Sequence, residues 1–429
     1  MTTDIGAAAA CRLLPSAKAA TMPKALALHR HELGPLPDRL PDEALSCIHA
    51  SGLRGRGGAS FPTGVKWQAV AERSRRDAVV VVNAAEGEPA SRKDDALLRM
   101  RPHLVLDGAV LAARSVGATD AVVYVRERSG SARRAVEAAL AERADTDHIR
   151  WHVALAPDVY VAGEETAVIR RLNGGPARPT PVPPRPYERG VAGRPTLVQN
   201  VETLAHAALI LRHGADWFRT AGTATCPGTA LFTVWTQQRR QVVEAELGTR
   251  LGALLESTGV SSADAAAILL GGYFGRFLTV DEVADLVLDE TLLHDVDATL
   301  GCGVVAVIPR RVCPLAEASR IAAYLARETA GQCGPCVRGL PAISEATARL
   351  VRGGAPARAA LADLERWAGQ VAGRGACHHP DGAVRLVASV QTALAAEIDK
   401  HARTGPCERT GLRSTLPGVP PVTLGNLRW

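Results

Sequence analysis

The segment DAVVVVNAAEGEP (residues 77–89) is an unbroken apolar run that ends in a turn with two glutamates. An apolar run of this length between turn residues predicts a strand buried on both faces. DAVVYVRER (120–128) and HVALAPDVYV (152–161) predict two more strands, and segments with helical spacing lie between the strands at 95–118 and 131–144. Strands that alternate with helices indicate a mainly parallel sheet with helices on both faces.

The chain has 429 residues, which is enough for about three domains. Short strands around one helix in 229–300 predict a small α+β module, and helical segments with short connections after residue 313 predict a bundle. The predicted organisation is a loose N-terminal tail at 1–35, an α/β domain at 36–225, the α+β module at 226–305, the helical domain at 306–405 and an irregular C-terminal tail at 406–429.

The composition excludes several classes of protein. Hydrophobic residues make up 47% of the chain, which favours a globular protein, and the net charge of +6 is spread along the chain with acidic residues among the basic ones. No basic stripe with interleaved aromatics suggests nucleic-acid binding. No apolar run is long enough to span a bilayer, and the Ala-rich start lacks the basic region of a signal peptide. The predicted location is the cytoplasm, without direct membrane insertion.

The glycine-rich segment SGLRGRGGASFPTGVKW (51–67) is a candidate nucleotide cradle. Glycines let the backbone approach a ligand closely and direct N–H groups at phosphates. Arg54, Arg56 and Lys66 add positive charge, and Phe61 adds an aromatic ring. The spacing matches neither a Walker A loop nor a dinucleotide fingerprint after a strand. The alternative is a flexible surface loop.

Pairs of glutamates follow two of the predicted strands. Glu86 and Glu88 follow the first strand, and Glu164 and Glu165 lie in YVAGEETAVIRRLNG (160–174), where a helix opens. The carboxyl ends of parallel strands face a ligand crevice, and carboxylates there suit contacts to ribose or flavin. The alternative for the second pair is helix capping, because a carboxylate is favourable at a helix N-terminus.

Two cysteines stand three positions apart in CGPC (333–336), and Cys377 lies about forty residues further on. A thioredoxin-like dithiol would need a preceding strand, whereas the helical pattern EASRIAAYLARETAG (317–331) precedes this motif. A zinc site would need four ligands, which Cys377, His378 and His379 would help to complete. An iron–sulfur site is the third interpretation.

Five segments occur in the order and spacing of one family: GLRGRGGASFPTGVKW (52–67), NAAEGEPASRKD (83–94), YVAGEETA (160–167), GRPTLVQNVETLA (193–205) and CGPCVRG (333–339). The chain resembles the NADH-binding flavoprotein subunit of respiratory complex I and the matching diaphorase subunits of soluble hydrogenases and formate dehydrogenases. The resemblance extends from about residue 35 to about residue 400.

The resemblance implies a Rossmann-like FMN and NADH domain, a small ubiquitin-like β-grasp (SLBB) domain and a C-terminal helical bundle that carries a [4Fe–4S] cluster. It implies an enzyme that takes a hydride from NADH onto FMN and passes single electrons to iron–sulfur carriers. The implied acceptor is a [2Fe–2S] ferredoxin-like subunit or a ferredoxin, and a larger redox complex would hold the protein peripherally at the inner face of the membrane.

The resemblance also implies site residues. Glu88 would face the nicotinamide nucleotide and Tyr187 would help to hold the adenine. The residues implied for FMN and NADH together are Gly55, Arg56, Gly57, Gly58, Phe61, Lys66, Asn83, Glu86, Glu88, Tyr160, Gly163, Glu164, Glu165, Tyr187 and Asn200. Those implied for the cluster are Cys333, Cys336 and Cys377.

The chain departs from the family pattern at several positions. Ala330 stands where the family has the first of its four cysteines, so one corner of a four-iron cluster would lack a thiolate. The alternatives are a [3Fe–4S] cluster, a non-cysteine ligand such as His378 or water, or loss of the cluster. This chain differs from the family at four further positions. Ala85 replaces a family Asp, Gln199 an Asn, Ser60 a Gly and Asp95 an Arg.

These departures leave a second functional hypothesis, in which the protein is a non-catalytic relative that serves in assembly or electron relay. A third hypothesis is a dithiol or zinc-binding scaffold. Flavin and iron–sulfur absorption would separate the hypotheses, because zinc contributes neither.

Overall fold

A computed structural model describes residues 4–7, 11–14, 23, 25–144, 147–236 and 239–419. The strands in these segments are β1 (Asp4–Ala7), β2 (Ala78–Ala84), β3 (Ala118–Arg126), β4 (Arg150–Ala156), β5 (Thr196–Asn200), β6 (Thr229–Trp235), β7 (Arg240–Glu246), β8 (Ala265–Leu270), β9 (Arg276–Leu278) and β10 (Val304–Pro309).

The α-helices fall into two groups along the chain. Those before residue 220 are α1 (Leu26–Leu33), α2 (Pro41–Ser51), α3 (Thr63–Ala71), α4 (Lys93–Met100), α5 (Pro102–Val116), α6 (Gly130–Glu142), α7 (Glu165–Leu172), α8 (Val201–His213) and α9 (Ala215–Arg219). Those after it are α10 (Leu251–Ser257), α11 (Val280–Asp285), α12 (Glu290–His294), α13 (Pro314–Arg327), α14 (Leu340–Arg352), α15 (Ala355–Val371), α16 (His379–Ala393) and α17 (Ala395–Thr404).

A four-stranded parallel sheet in the order β4-β3-β2-β5 forms the first unit, which confirms the predicted α/β class. All four valines of β2 are buried, and successive ones point to opposite faces of the sheet. Val80 and Val82 belong to the core that contains α5 and α8, whereas Val79 and Val81 pack with Val168 of α7. Burial on both faces explains why the strand is apolar at every position.

The segment with helical spacing at 95–118 forms two helices, α4 and α5, and α4 begins at Lys93. Pro102 opens α5, and Arg101 before it has a non-helical backbone conformation. A residue that precedes proline is disfavoured in the helical region, so the helix ends there.

A six-stranded mixed sheet in the order β1-β7-β6-β10-β8-β9 forms the second unit, in agreement with the predicted α+β module. Ile268 and Val305 face the cluster that includes α10, and Leu269 and Ala306 face the helical bundle. The alternation of side chains along a strand therefore places this sheet between its own helices and the bundle. β10 continues to Pro309, four residues past the predicted end of the module at 305.

The prediction of a loose N-terminal tail is corrected for the part of it that the structure describes. β1 pairs in parallel with β7 at the edge of the second sheet. Leu13 and Leu14 are buried, and their N–H groups donate to the Glu244 carboxylate at 2.8 and 3.0 Å. The segment therefore ties the first unit to the second.

Helices α13 to α17 form the C-terminal bundle. The amphipathic α13 and α14 contribute Ile321 and Ile343 to its buried core. The described part of the predicted C-terminal tail, residues 406–419, is irregular, with a 3₁₀ turn at Glu408–Gly411. Up to residue 419 it is nevertheless held in place, because Ser414 Oγ donates to Glu317 Oε2 at 2.6 Å. No helix among the described residues has the length and apolar character needed to cross a membrane.

Candidate functional site

The glycine-rich loop connects α2 to α3 and closes on itself. The Gly55 N–H donates to Phe61 O at 2.8 Å, and Arg54 and Pro62 form an isolated β-bridge. A Cβ at Gly57 would lie 3.3 Å from Asn200 Cβ, so the loop lies directly against the start of α8. Gly58 has a φ of +113°, which favours glycine. The Phe61 ring is about half exposed.

Lys66 and Glu165 meet across the crevice between α3 and α7. Lys66 Nζ lies 2.8 Å from Glu165 Oε2, and the two side chains are 23% and 29% exposed. Glu164 instead caps α7, because its carboxylate accepts from the N–H groups of Thr166 and Ala167 at 3.0 Å each. The capping interpretation is therefore correct for Glu164, while Glu165 faces the crevice.

Asn83, the last residue but one of β2, and Asn200, the last residue of β5, are paired in register on neighbouring strands. Asn83 Nδ2 donates to Gly163 O at 2.8 Å. Asn200 Oδ1 accepts from the Glu202 N–H at 3.0 Å and so caps α8, while its Nδ2 donates to Asp94 Oδ2 at 2.6 Å. The structure thus brings these predicted residues together at the carboxyl edge of the sheet.

Glu86 has a positive φ of +39°, and its carboxylate turns toward α4. It accepts from Ser91 Oγ at 2.7 Å and from the N–H groups of Asp94 and Asp95 at 3.0 and 3.1 Å. Burial, followed by the charge of Asp94, raises the pKa of Glu86 to about 7. The side chain therefore anchors the start of α4, and only the backbone of Glu86 is left to line the crevice.

Glu88 is only 7% exposed and lies where the three units meet, so the expectation that it faces the nicotinamide nucleotide is not met in this structure. Its carboxylate accepts from Tyr160 Oη at 3.0 Å, from the Tyr273 N–H at 2.9 Å and from the Ala90 N–H at 3.0 Å. Burial raises the pKa of Glu88 to about 7. Tyr160 accordingly points toward this junction.

The rings of Tyr324 and His379 complete the same junction from the bundle. Each packs edge-on against Tyr160, with ring centroids 5.9 and 5.5 Å away. Sequence reasoning missed Tyr273 and Tyr324, which lie far from Glu88 along the chain. Tyrosine is scarce in this chain, and three of its five tyrosines, Tyr160, Tyr273 and Tyr324, lie together at this junction. That scarcity was the available signal.

The side chains of Arg56 and Tyr187 lie away from the crevice in this structure. Arg56 is 7% exposed, and its Nη2 donates to Thr229 O at 3.1 Å, so it ties the loop to β6. Tyr187 packs against the Arg73 guanidinium at 4.6 Å and follows Pro186, whose carbonyl accepts from the N–H of Thr196 at the amino end of β5. Tyr187 therefore lies at the opposite end of β5 from Asn200, and the roles of Arg56 and Tyr187 in cofactor binding stay predictions.

The departures from the family pattern have local structural consequences. Ser60 has a φ of +51°. This left-handed conformation is unfavourable in free energy for any residue that has a Cβ atom. Ala85 is buried and packs beside Gly163. A Cβ added to Gly163 would lie 3.4 Å from the Ala85 methyl group. Gln199 is buried, and its Nε2 has no hydrogen-bond partner among the described residues. Asp95 pairs with Arg99 at 2.9 Å.

The CGPC motif lies in the loop after α13 and runs into a π-helical turn, Pro335–Gly339, that leads into α14. The element directly before it is the helix α13 and not a strand, so the thioredoxin-like arrangement is excluded for this motif. Cys377 lies just before α16. The loop packs on α7, because Arg170 Nη1 donates to Gln332 Oε1 at 3.0 Å.

The three thiols act on one another electrostatically. Burial acts to raise the pKa of Cys333, but hydrogen bonds from the Ala376 and Cys336 backbone outweigh burial and hold that pKa below its ordinary value. Burial and the neighbouring Cys333 and Cys377 raise the pKa of Cys336. Cys333 and Cys377 therefore lie close enough to Cys336 to act on its thiol.

The fourth corner has no thiolate. Ala330 is 5% exposed and offers only a methyl group. The His378 side chain is 98% exposed and lies 3.6 Å from Asp381, while His379 Nε2 is hydrogen-bonded to Leu325 O at 2.8 Å. Neither histidine completes a four-ligand zinc site with the cysteines in this arrangement.

The residues at this crevice have the chemistry that a flavin phosphate and ribityl chain require. The glycine loop offers the backbone N–H groups of Gly57 and Gly58. Lys66 of α3 supplies a cation and Glu165 of α7 a carboxylate, and the paired Asn83 and Asn200 add two amides. Such a set supplies N–H donors and a positive charge for a phosphate and polar partners for hydroxyl groups.

Comparisons with known proteins define the class. Residues 48–208 match the family described as the Nuo51 FMN-binding domain, and residues 316–401 match the NADH-ubiquinone oxidoreductase-F iron-sulfur binding region. Both the crevice and the three cysteines lie within these ranges. The fold and site are therefore those of an FMN-binding flavoprotein with an iron–sulfur region.

The relatives give the family. Rhizobium meliloti (strain 1021) has two NADH-quinone oxidoreductase F-subunits, numbered 1 and 2, that are similar to this chain. The chain is 30% identical over 387 residues to number 2, covering 87% of this chain and 91% of the relative. It is 32% identical over 384 residues to number 1, covering 84% and 88%. The chain belongs to the F-subunit family of NADH-quinone oxidoreductases.

A solved structure agrees with this assignment. The chain is similar to a chain in the crystal structure of an NAD⁺-reducing [NiFe]-hydrogenase in the air-oxidized state, with a TM-score of 0.77 and 31% sequence identity. The match covers 86% of this chain and 64% of the hydrogenase chain. As a member of the F-subunit family, the protein is an NADH-oxidising FMN flavoprotein with an iron–sulfur binding region.

Proposed function

We propose that FMN lies in the crevice between the glycine loop and α7, and that Cys333, Cys336 and Cys377 hold the iron–sulfur cluster that receives electrons from it. The observation that carries this proposal is the docking of the cysteine loop on α7. Gln332, next to Cys333, contacts Arg170 of that helix at 3.0 Å, and the first turn of the same helix presents Glu165 to the crevice.

When bound, FMN accepts a hydride from NADH and releases the two electrons one at a time. The residues of the chain bind and orient it. The N–H groups of Gly57 and Gly58 and the Lys66 ammonium offer partners for the phosphate, and Asn83 and Asn200 offer amides at the floor. Glu165 holds Lys66 at 2.8 Å and so fixes the direction of that positive charge.

The exposed Phe61 ring supports a place for NADH at the mouth of the crevice. Phe61 is 52% exposed on a loop that its own carbonyl closes, so an apolar ring is presented to solvent on a constrained backbone. A ring in that position can stack on a base or a nicotinamide. This leaves Glu88 and Tyr160 as residues that connect the flavin domain to the other two units.

The proposed acceptor lies outside this chain. The cluster of this chain takes electrons one at a time and must pass them on, and we propose that a [2Fe–2S] ferredoxin-like subunit or a ferredoxin receives them. The relatives are named as subunits of NADH-quinone oxidoreductases, and the similar solved structure is that of an NAD⁺-reducing hydrogenase. A multi-subunit redox complex of this kind would keep the protein in the cytoplasm, held peripherally at the membrane by its partners.

A diaphorase assay tests this function. The protein is purified anaerobically, loaded with FMN and mixed with NADH and ferricyanide, an artificial one-electron acceptor. We expect NADH-dependent ferricyanide reduction that requires FMN. A flavin-loaded sample without activity would favour the second candidate, a non-catalytic protein of assembly or electron relay, which is supported by the buried Ala85 and Ala330 at cofactor positions of the family.

A further inference from the structure

A second group of metal-ligating side chains lies at the junction of the bundle with the C-terminal segment. Its members are Cys313 at the N-cap of α13, Glu397 and His401 on α17, and Cys407 just beyond α17. One ligand atom of each residue lies within 4.8 Å of those of the other three. Cys313 and His401 are fully buried, and Glu397 and Cys407 are partly buried.

The histidine of this group is oriented as a metal ligand. His401 Nδ1 lies 2.9 Å from the Val351 carbonyl oxygen, which can only accept, so Nδ1 carries the proton. The lone pair of Nε2 therefore points toward Cys313 Sγ, 3.6 Å away. A backbone carbonyl that fixes the tautomer through the second ring nitrogen is the usual support for a ligating histidine.

The carboxylate of the group is also supported. The Arg409 guanidinium donates to both oxygens of Glu397, at 2.8 Å to Oε2, and to Arg310 O at 2.9 Å. Glu397 and His401 are four residues apart on α17, which places them on one face of the helix. A carboxylate can bind an ion and accept a hydrogen bond at once, and such supporting bonds are common around metal sites.

We propose that Cys313, Glu397, His401 and Cys407 bind one structural Zn²⁺ ion. Zinc–sulfur bonds of about 2.3 Å and zinc–nitrogen bonds of about 2.0–2.1 Å in a tetrahedral site place sulfur and nitrogen about 3.5 Å apart. The Cys313 Sγ to His401 Nε2 distance of 3.6 Å matches that separation. Two thiolates with an imidazole and a carboxylate favour zinc over harder ions such as Mg²⁺.

The charges of the site balance. Two thiolates and the Glu397 carboxylate carry three negative charges, and Zn²⁺ with the Arg409 guanidinium carries three positive charges. A buried site needs this neutrality, because uncompensated charge in a protein interior is costly. Four protein ligands leave no open position for a substrate, so the ion would be structural.

The proposed zinc site is separate from the cysteine cluster of the electron-transfer centre. Cys313 lies at the start of α13, whereas Cys333 lies beyond its end. The 14 residues of this helix extend about 20 Å. The ion would join the start of α13 to α17 and to the segment after it, and so would hold that segment against the bundle.

Metal analysis of the full chain tests the proposal. We expect inductively coupled plasma mass spectrometry to find about one zinc per chain, in addition to the iron of the cluster. Cys313→Ser and Cys407→Ser should lose the zinc and keep the iron. Cys47→Ser is the matched control, because Cys47 belongs to neither group of cysteines and its Sγ donates to Ile210 O at 3.7 Å, which a serine hydroxyl can also do.

Cobalt substitution keeps the proposal testable if a variant folds poorly. Co²⁺ added to zinc-depleted, reduced wild-type protein should give a thiolate-to-cobalt absorption band, and the milder Glu397→Gln variant should change that band. The proposal is overturned if the wild type holds no zinc and gives no cobalt band, or if the band persists in Cys313→Ser and Cys407→Ser. A Cys313–Cys407 disulfide in freshly purified protein would also overturn it.

Discussion

Lys66 Nζ lies 2.8 Å from Glu165 Oε2, and this ion pair joins α3, which follows the glycine loop, to the first residue of α7. It links the phosphate-binding side of the proposed crevice to the helix on which the cysteine loop rests. The pair is part of the flavin and NADH site that we propose.

Lys66→Met should therefore weaken FMN binding. A charge-assisted hydrogen bond contributes about 1.5–3 kcal/mol, so we expect the FMN dissociation constant to rise about 10- to 150-fold. Fluorescence titration of FMN into flavin-free protein measures it. The control is Arg133→Met, which breaks the exposed Arg133–Glu137 pair of α6 at 3.6 Å and should leave FMN affinity unchanged. Equal FMN affinity of wild type and Lys66→Met would refute the assignment of Lys66.

Ser60→Gly should raise the melting temperature. Ser60 has a φ of +51°, and a left-handed conformation costs a residue with a Cβ about 1–2 kcal/mol, whereas glycine adds about 0.5–1 kcal/mol of backbone entropy loss. The net gain is about 0.5–1 kcal/mol. Ser129→Gly is the control, because Ser129 has a φ of −83° and gains nothing from glycine. A lower melting temperature for Ser60→Gly than for Ser129→Gly would contradict the strained loop conformation.

Glu88 should make the stability of the protein depend on pH. Burial raises the pKa of Glu88 to about 7 from its ordinary value of 4.5, so the folded state favours the protonated carboxyl. The favourable contribution is present at low pH and is lost as the pH rises from about 4.5 through about 7, at up to about 1.4 kcal/mol per pH unit.

The Glu88→Gln variant isolates this effect, because it removes the titration while the other groups remain. We expect the wild type to be the more stable protein at about pH 5 and to lose that advantage progressively toward about pH 8 in thermal melts. Glu137→Gln, at an exposed position of α6, should show no such trend. A wild-type advantage that stays constant over this range would show that Glu88 is ionised throughout.

Much of this fold follows from local sequence patterns. The valines of β2 are apolar at every position because both faces of the strand are covered, and that pattern identified the parallel sheet. The contacts of β1 did not follow, because this strand has only four residues and its partner β7 lies more than two hundred positions away. Leu13 and Leu14 are likewise held by Glu244, which is equally distant along the chain.

The candidate site also has features that local sequence predicts and contacts between distant parts of the chain that it does not. The family motifs pointed to Asn83, Lys66 and Glu165, and the structure brings Lys66 and Glu165 together and bonds Asn83 to Gly163. Motif membership did not distinguish a side chain that faces a ligand from one that faces the core. Arg56 and Glu88 turn inward because their partners, Thr229 and Tyr273, come from the second unit, and no local pattern records those contacts.

Ala330→Cys should restore a stable four-iron cluster. Ala330 is buried in the loop that leads to Cys333, and a thiol there would supply the missing fourth ligand. We expect the wild type to show a [3Fe–4S] electron paramagnetic resonance signal in air and to take up iron on reduction, and the variant to show neither change. A wild type without iron, or with an air-stable four-iron cluster, would refute this ligand assignment.

Electron flow from NADH through FMN to the cluster is tested by an anaerobic titration of the wild-type protein with NADH. Flavin absorbance and electron paramagnetic resonance of the cluster are followed together. We predict that NADH bleaches the flavin and changes the cluster signal, and that FMN-free protein shows no change in the cluster signal with the same NADH. Flavin-loaded, iron-containing protein in which NADH changes neither the flavin absorbance nor the cluster signal would contradict this electron path.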